Sequence, residues 1–190
     1  MKKNLLISVL MTVVTTVVLG IIYPLIVTGL AQLFFKDKAN GQLITQNGQV
    51  IGSRIIGQAF TGPAYFHSRP SNAGTGYDAA NSNGSQLGPT NHALIDRVKA
   101  DVATNQVDNP GEPVPIDLVT ASASGLDPDI TPAAAEFQIA RVAKERGVSE
   151  AQLHQLLRQR TAERQFGFLG EPRVNVLELN LDLDAKFPKR

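Results

Sequence analysis

The sequence predicts an α+β protein, with one N-terminal transmembrane helix followed by a single mixed α/β soluble domain. Residues 4–35 contain no Asp, Glu, Lys, Arg or His. The remainder alternates short strand-like apolar runs with helical patterns, interrupted by a turn-rich segment at residues 71–91. We therefore expect a membrane anchor at residues 1–35 and a soluble domain at residues 36–190.

The uncharged segment is long enough to span a bilayer. Its 32 residues would form a helix of about 48 Å, and the hydrocarbon core of a bilayer is about 30 Å thick. The alternative is a cleaved secretory signal, because Met1, Lys2 and Lys3 form a short basic start before the apolar run. Signal cores are usually about 7–15 residues long, so the length favours a retained anchor.

Small residues recur every four positions inside this segment, at Ser8, Thr12, Thr16 and Gly20. Such a stripe lets another helix approach closely in lipid, which predicts helix docking. The alternative is that each hydroxyl bonds only the carbonyl four residues earlier in its own helix. Pro24 is expected to bend the helix.

Composition narrows the function classes. The net charge is +1 and there is no Cys, which disfavours nucleic-acid binding and excludes disulfides and thiol nucleophiles. The basic residues near the two ends of the span barely differ in number. Because a short basic tail usually stays inside, we expect a cytoplasmic N-terminus and an extracytoplasmic domain.

In the first part of the soluble domain, the sequence predicts a hairpin followed by a helix. Residues 42–45 and 49–51 flank Asn47-Gly48, which favours a type I′ turn. Residues 52–60 are expected to extend this sheet, with glycines marking a bulge or a close backbone approach. A helix is predicted over residues 92–105, with Thr90 or Asn91 as its N-cap.

The second part predicts alternating strands and helices. Residues 116–121 resemble a short buried strand, and a helix follows from Pro132 to Gly147 with Thr131 as its cap. A capping box at residues 149–152 begins another helix, on which arginines at 158, 160 and 164 form a solvated face. Residues 173–179 predict a strand, with a bulge or a switch to a short helix near Leu177.

The segment 71–91 is rich in Gly, Asn and Ser, and we expect no regular structure there. Aromatic residues bracket and punctuate it, including Tyr65, Phe66 and Tyr77. They favour an ordered binding loop, although the same residues could simply pin the loop to the core.

Two Gly/Ser turns are the candidate contact sites. They predict contacts to a nucleotide or a partner at Ser82, Gly84, Ser85, Gln86, Ser124, Gly125 and Asp127. The plain alternative is structural turns. The stretch 120–132 has neither the Gly-Lys-Ser/Thr of a P-loop nor the glycine spacing of a nucleophile elbow, and residues 82–86 could simply form an Asn/Gly turn. We expect no catalytic residues and no metal site, because the pairs Asp127/Asp129 and Asp182/Asp184 more often cap helices or face water.

The order and spacing of many short motifs resemble one family. They include Tyr23-Pro24-Leu25, Thr28-Gly29, Gly52-Ser53, Ile56-Gly57-Gln58, Phe60, Tyr65-Phe66, Arg69-Pro70-Ser71, Gly76-Tyr77-Asp78, residues 84–91, residues 117–122, Ser124-Gly125-Leu126-Asp127-Pro128, Ile130, Pro132, Arg141-Val142-Ala143 and residues 172–177. Together these motifs resemble the C subunit of the Kdp-type bacterial potassium-transporting P-type ATPases.

The resemblance implies a non-catalytic accessory subunit in the bacterial inner membrane. It implies three partner subunits: a channel-like potassium-binding subunit, an ATP-hydrolysing P-type subunit and a small peptide subunit. It further implies a catalytic chaperone that raises the ATP affinity of the hydrolysing subunit, with no tightly bound cofactor and with ATP shared between the two. The alternative is a stand-alone membrane-tethered extracytoplasmic hydrolase or ligand-binding module.

Overall fold

A computed structural model describes residues 1–189 of the chain. Backbone packing divides these residues into two units, Met1–Ile51 and the residues from Gly52 onward. The boundary predicted at residue 35 marks the end of the membrane anchor, which backbone packing does not test, so it stays a prediction. The mixed helix and strand content confirms the predicted fold class.

The first unit begins with one long apolar helical run, Lys2–Phe34, which is long and apolar enough to cross a membrane. None of its residues is buried. The run consists of α1 (Lys2–Val17), a π-helical turn (Val18–Ile22) and α2 (Tyr23–Phe34), and the short α3 (Lys36–Ala39) follows it. Pro24 has no backbone N–H, and the wider π turn lies immediately before it, where the regular helical bonding would be interrupted. The bend at Pro24 itself stays a prediction.

The predicted hairpin is confirmed. Its strands are β1 (Leu43–Gln46) and β2 (Gln49–Ser53). Asn47 and Gly48 have φ of 52° and 78°, as a type I′ turn requires at both central positions. The predicted extension to residue 60 is wrong, because β2 ends at Ser53 and only one isolated bridge to Ile56 follows.

The second unit combines five helices with a small sheet. The helices are α4 (His92–Asp108), α5 (Pro132–Phe137), α6 (Ile139–Arg146), α7 (Glu150–Arg160) and α8 (Val176–Lys186). The strands are β3 (Asp129–Ile130), β4 (Thr161–Ala162) and β5 (Arg173–Asn175), in the antiparallel order β3-β5-β4. The core joins α5 to α8 with β5, and Leu153, Leu179, Leu183 and Val174 are fully buried within it.

Most predicted helix signals are confirmed. Asn91 caps α4 by accepting a hydrogen bond from the amide of Ala93 at 2.8 Å. The capping box starts α7, and Leu153, Leu156 and Leu157 face inward as expected. The solvated face predicted for the arginines of α7 is wrong at Arg160, whose guanidinium binds both carboxylate oxygens of Asp182 at 2.7 and 2.6 Å.

Two predicted strands differ from the structure. Residues 116–121 instead form a 3₁₀ turn over Ile116–Leu118. This turn places the Asp117 carboxylate, which is 5% exposed, where it accepts the amide of Thr131 at 2.8 Å. The strand predicted over 173–179 ends at Asn175, whose side chain caps α8. The predicted switch to a helix is therefore confirmed, and it occurs at Val176.

The helix predicted from Pro132 to Gly147 is split at Gln138. Thr131 caps it as expected, with its hydroxyl accepting the amide of Ala134 at 3.2 Å. Gly147 ends it in the left-handed region at φ 66°. Between α5 and α6, the buried side-chain amide of Gln138 binds the backbone of His67. No local sequence signal predicts this long-range contact.

Candidate functional site

The two Gly/Ser turns named from the sequence lie against each other. The Ser82 hydroxyl donates to the carbonyl of Ser124 at 3.0 Å, and the Asn83 amide donates to the same carbonyl at 2.9 Å. The turn at residues 82–84 and the turn at residues 123–125 therefore form one cluster. The Ser82 hydroxyl and the Asn83 amide are used within the cluster.

Glycine is required at this junction because the backbones nearly touch. A Cβ added at Gly84 would lie 2.8 Å from the carbonyl oxygen of Ala123. At Gly125, where φ is 69°, a Cβ would lie 2.6 Å from the carbonyl oxygen of Asn83 and 2.7 Å from the amide nitrogen of Ala73. Both glycines thus permit packing of one turn on the other.

Ser85 and Gln86 lie further along the loop and bond to their own neighbours. The Gln86 amide group donates to the side-chain oxygen of Asn83 at 2.7 Å. Ser85 accepts a hydrogen bond from the amide of Leu87 at 3.4 Å. Gln86 adopts a positive φ of 52°, so this part of the loop is a tight turn.

The segment 71–91 contains no helix or strand, as predicted. Ser71 anchors it by donating to the carbonyl of Gly125 at 2.6 Å and accepting the amide of Tyr77 at 2.8 Å. The Tyr77 hydroxyl donates to the carbonyl of Arg69 at 2.6 Å. These bonds favour the alternative in which Tyr77 pins the loop to the domain.

Asp127 belongs to a cluster organised by Arg69. The guanidinium of Arg69 lies 3.2 Å from the Asp127 carboxylate and 3.8 Å from that of Asp117. It also donates to the carbonyl and the hydroxyl of Thr120, both at 3.2 Å. Arg69 fixes the turns beside the loop, yet sequence reasoning noted it only as part of the Arg69-Pro70 motif.

A cleft of about 250 Å³ opens beside this cluster. Asp117, Asp127 and Asp129 face Arg69 and Arg173 there, so these five side chains carry one excess negative charge when all are ionised. The Arg173 guanidinium lies 3.0 Å from Asp129. Burial raises the pKa of Asp129, and the hydrogen bond from the Asn175 side chain and the charge of Arg173 oppose that shift.

Three backbone amides of this cluster already have partners within the fold. Phosphate cradles present free backbone N–H groups and positive charge. Here the amides of Asn83, Gly125 and Leu126 donate to Ser124 O, Ser122 O and Ser124 Oγ respectively. The adjoining cleft is acidic on balance, so its charge does not favour a phosphate, and contact with a nucleotide or a partner at the named residues stays a prediction.

A second arrangement, which the sequence did not indicate, holds the segment before the loop. The buried side chain of Asn180 accepts the amide of Phe66 and donates to its carbonyl, both at 2.9 Å. Gln138 does the same for His67, at 2.7 and 3.1 Å. These side-chain amides satisfy the backbone that a neighbouring β-strand would otherwise pair with.

Two arginines complete this arrangement. Arg146, which is 4% exposed, donates to the carbonyl of Ala64 at 2.8 Å and stacks 4.8 Å from the Tyr65 ring centre. Arg141 donates to the carbonyls of Pro63 and Tyr65. Both arginines lie on α6, so this helix binds residues 63–65, while Asn180 of α8 and Gln138 hold the two residues that follow.

No contact in residues 1–189 joins a histidine to Ser122 or Ser124, the serines of the second turn. The ring of His67 lies 3.0 Å from the carbonyl of Gly62, and His154 lies 3.9 Å from Glu136. Burial and the charge of Arg141 lower the pKa of His67. The Ser122 and Ser124 hydroxyls lie 3.4 Å from each other, so the geometry gives no support to a serine hydrolase.

In the apolar helix, two members of the small-residue stripe bond their own backbone. Ser8 donates to the carbonyl of Asn4 at 3.0 Å, and Thr12 donates to that of Ser8 at 2.9 Å. A Cβ added at Gly20 would meet only Thr16, at 3.8 Å. Self-bonded hydroxyls and a docking stripe are compatible, because the bonds leave the side chains small.

Comparison with known proteins decides the family. Residues 5–185 match the model of a family described as "KdpC: K+-transporting ATPase, c chain". The chain belongs to the KdpC family. The match covers the apolar helix and nearly all of the second unit, so family membership rests on the whole chain.

Individual KdpC proteins are similar over almost their full lengths. The potassium-transporting ATPase KdpC subunit of Koribacter versatilis is 71% identical over 188 residues, which is 99% of this chain and 97% of that protein. The corresponding subunit of Acidobacterium capsulatum is 60% identical over 93% of this chain and 95% of its own length. That of Rhodospirillum rubrum is 58% identical over 91% of each chain.

Proposed function

We propose that this chain is an accessory subunit of an ATP-driven potassium pump. The observation that carries the proposal is the family match from the apolar helix to the end of α8, supported by relatives whose names describe subunits of such an ATPase. In this role the chain stabilises the assembled complex and raises the ATP affinity of the hydrolysing subunit. Its partners are the channel-like, the P-type and the small peptide subunits.

The helical run Lys2–Phe34 anchors the chain in the membrane. Its 33 residues correspond to about 50 Å of helix, which exceeds a hydrocarbon core of about 30 Å. None of these residues is buried, so the whole surface is available to lipid and to partner helices. The stripe from Ser8 to Gly20 is the face on which a partner helix docks.

Copurification tests this membership. The chain is coexpressed with the pump subunits, extracted in mild detergent and purified through a tag on the P-type subunit. We expect this chain to remain in the complex. A monomeric chain that leaves every pump subunit behind would contradict the proposal and favour a stand-alone hydrolase or ligand-binding module.

The domain faces the extracytoplasmic side in this proposal. Since the chain has no Cys, a single introduced Cys reports its side of the membrane to an impermeant thiol reagent. Ser85 is only half-exposed, whereas Thr75 is exposed, so Thr75→Cys is the better probe and Lys3→Cys is the matched control. We expect labelling of Thr75→Cys in intact cells and of Lys3→Cys only after permeabilisation; the reverse pattern would overturn the orientation.

The effect on ATP affinity then acts through the membrane helices. An extracytoplasmic domain cannot touch a cytoplasmic nucleotide, and the amides of Asn83, Gly125 and Leu126 in the cluster are already used by the fold. Helix docking provides a route, since a subunit that binds one conformation of its partner more tightly shifts the population toward it. The chain therefore acts by stabilising the pump conformation that binds ATP well.

A further inference from the structure

The connection between β4 and β5 projects an aromatic tip into solvent. We call residues 163–172 the aromatic arm. Phe166 is 84% exposed and Phe168 is 70% exposed, and Leu169 beside them is 48% exposed. Within the described part of the second unit, no other large apolar side chain is as exposed as Phe166. A Cβ added at Gly167 or Gly170 would meet nothing within 4 Å, so the tip stands clear of the domain.

The arm is a structured extension of the β4–β5 hairpin. Gln165 and Leu169 exchange two backbone hydrogen bonds, each of 2.9 Å. The amides of Gly167 and Phe168 donate to the carbonyls of Arg164 and Gln165, at 3.1 and 3.2 Å. These bonds hold the two aromatic residues in one geometry before any partner arrives.

An ion pair closes the base of the arm. The Arg164 guanidinium lies 2.6 Å from the Glu171 carboxylate. The register that pairs Thr161 with Val174 also places residues 164 and 171 opposite each other. Exposed pairs stabilise weakly, so this one contributes to the shape of the arm more than to the stability of the domain.

Backbone strain at the tip also indicates that the arm is rigid. Phe166 has a φ of 53°, a left-handed conformation that is unfavourable for an L-residue other than glycine. A flexible loop would relax this strain. Rigid exposed aromatic side chains are the type of residue that dominates binding energy at protein interfaces.

The charge of the arm favours a protein partner over lipid. The arm contains Glu163 and Glu171 against a single Arg164, so it carries one excess negative charge. The flanking arginines, Arg160 and Arg173, are paired with aspartates. Loops that insert into bilayers are usually basic, because anionic headgroups attract them.

The same charge disfavours a second copy of this chain. A groove of about 460 Å³ on the domain is lined in part by Phe137 and Ile139. Its lining also includes three carboxylates, from Glu112, Glu136 and Glu150. The acidic arm would meet like charge there, which costs binding energy.

We propose that the aromatic arm inserts Phe166 and Phe168 into an apolar pocket with a basic rim on another subunit of the same complex. The proposal rests on the accessory-subunit function given above. Glu163 then meets opposite charge at the rim of the interface, while Glu171 stays paired with Arg164. The arm supplies a contact outside the membrane, separate from the helix stripe.

Stability of the complex tests the arm quantitatively. The double variant Phe166→Ala/Phe168→Ala is compared with Val107→Ala/Ile116→Ala, which removes apolar side chains that are 77% and 69% exposed elsewhere on the domain. After dilution in mild detergent, we expect the arm variant to leave the complex about tenfold faster or more, the size that the loss of a central aromatic contact produces. The control variant should leave at the wild-type rate, and both variants should keep the wild-type melting temperature. Equal rates for the two variants would overturn the proposal, whereas a wild-type chain that never copurifies would overturn the proposed function instead.

Crosslinking identifies what the tip touches. A photoreactive benzophenone amino acid replaces Phe166 in the full chain within the complex, and Ile116 in a control. We expect a crosslinked product of this chain with another pump subunit, from position 166 only. A product at the mass of two copies of this chain, or attachment to lipid without a protein product, would contradict the proposal.

Discussion

The side chain of Asn180 should be among the most important polar groups in the domain. It is 1% exposed and holds both the amide and the carbonyl of Phe66 at 2.9 Å. Phe66 is itself fully buried in the core. Substituting Asn180→Ala would leave two buried backbone groups without partners.

The magnitude follows from these two groups. Each buried, unsatisfied backbone group costs about 1–3 kcal/mol, and Ala recovers up to about 0.7 kcal/mol as a better helix former within α8. The free energy of unfolding should therefore fall by about 1.5–5 kcal/mol. At about 2–4 °C per kcal/mol for a chain of this size, the melting temperature should fall by at least about 3 °C.

The decrease in melting temperature is measured by thermal unfolding of the full chain in mild detergent. The near-ultraviolet circular dichroism of the tyrosines serves as the signal. Two of the three tyrosines, Tyr65 and Tyr77, lie in the second unit, so the signal reports mainly on that unit. The matched control is Gln155→Ala, which removes an exposed amide from α7. A melting temperature equal to that of the control would refute the claim that Asn180 replaces a pairing strand.

Three further predictions concern a titrating group, a glycine junction and the membrane helix. The pKa of His67 is lowered in the folded state, so the stability of the domain should decrease as the pH falls from about 6.5 through the folded-state pKa. The variant His67→Gln should show a weaker dependence of the melting temperature on pH. Gly125→Ala should lower the free energy of unfolding more than Gly170→Ala, since both have positive φ but only the former meets backbone atoms; equal losses in denaturant unfolding would refute the close approach. Gly20→Leu should lower the amount of this chain that copurifies with the pump while leaving membrane insertion intact, whereas Gly29→Leu should leave copurification unchanged. Equal copurification yields for the two variants would show that the helix acts only as a membrane anchor.

Local signals were enough to predict much of the fold. The uncharged run, the Asn47-Gly48 turn, the Thr131 cap and the switch from strand to helix at Val176 all depend on residues close in sequence. Capping and turn chemistry act over three or four residues. A single sequence therefore contains the information needed to place these features.

The errors share a different physical cause. Asp117 and Gln138 both leave the expected local structure to satisfy backbone groups far away in the chain, at Thr131 and His67. Arg160 leaves the solvated face to bind Asp182. Such long-range polar partners have no periodicity that a pattern could detect.

The candidate cluster was predicted in part. The sequence named residues on both turns, and the structure brings Ser82 and Gly84 against Ser124 and Gly125. It did not indicate that the two turns bind each other, because their glycines could equally have left room for a ligand. Only the distances to the opposing backbone distinguish these two uses of glycine.

The ATP dependence of potassium-stimulated hydrolysis tests the accessory function most directly. The complex is purified with the wild-type chain or without it, and the initial rate is measured over a range of ATP concentrations. Our account predicts a higher KM for ATP when the chain is missing, with potassium still required for activity. An unchanged KM in a complex that is otherwise intact would contradict a role in ATP affinity.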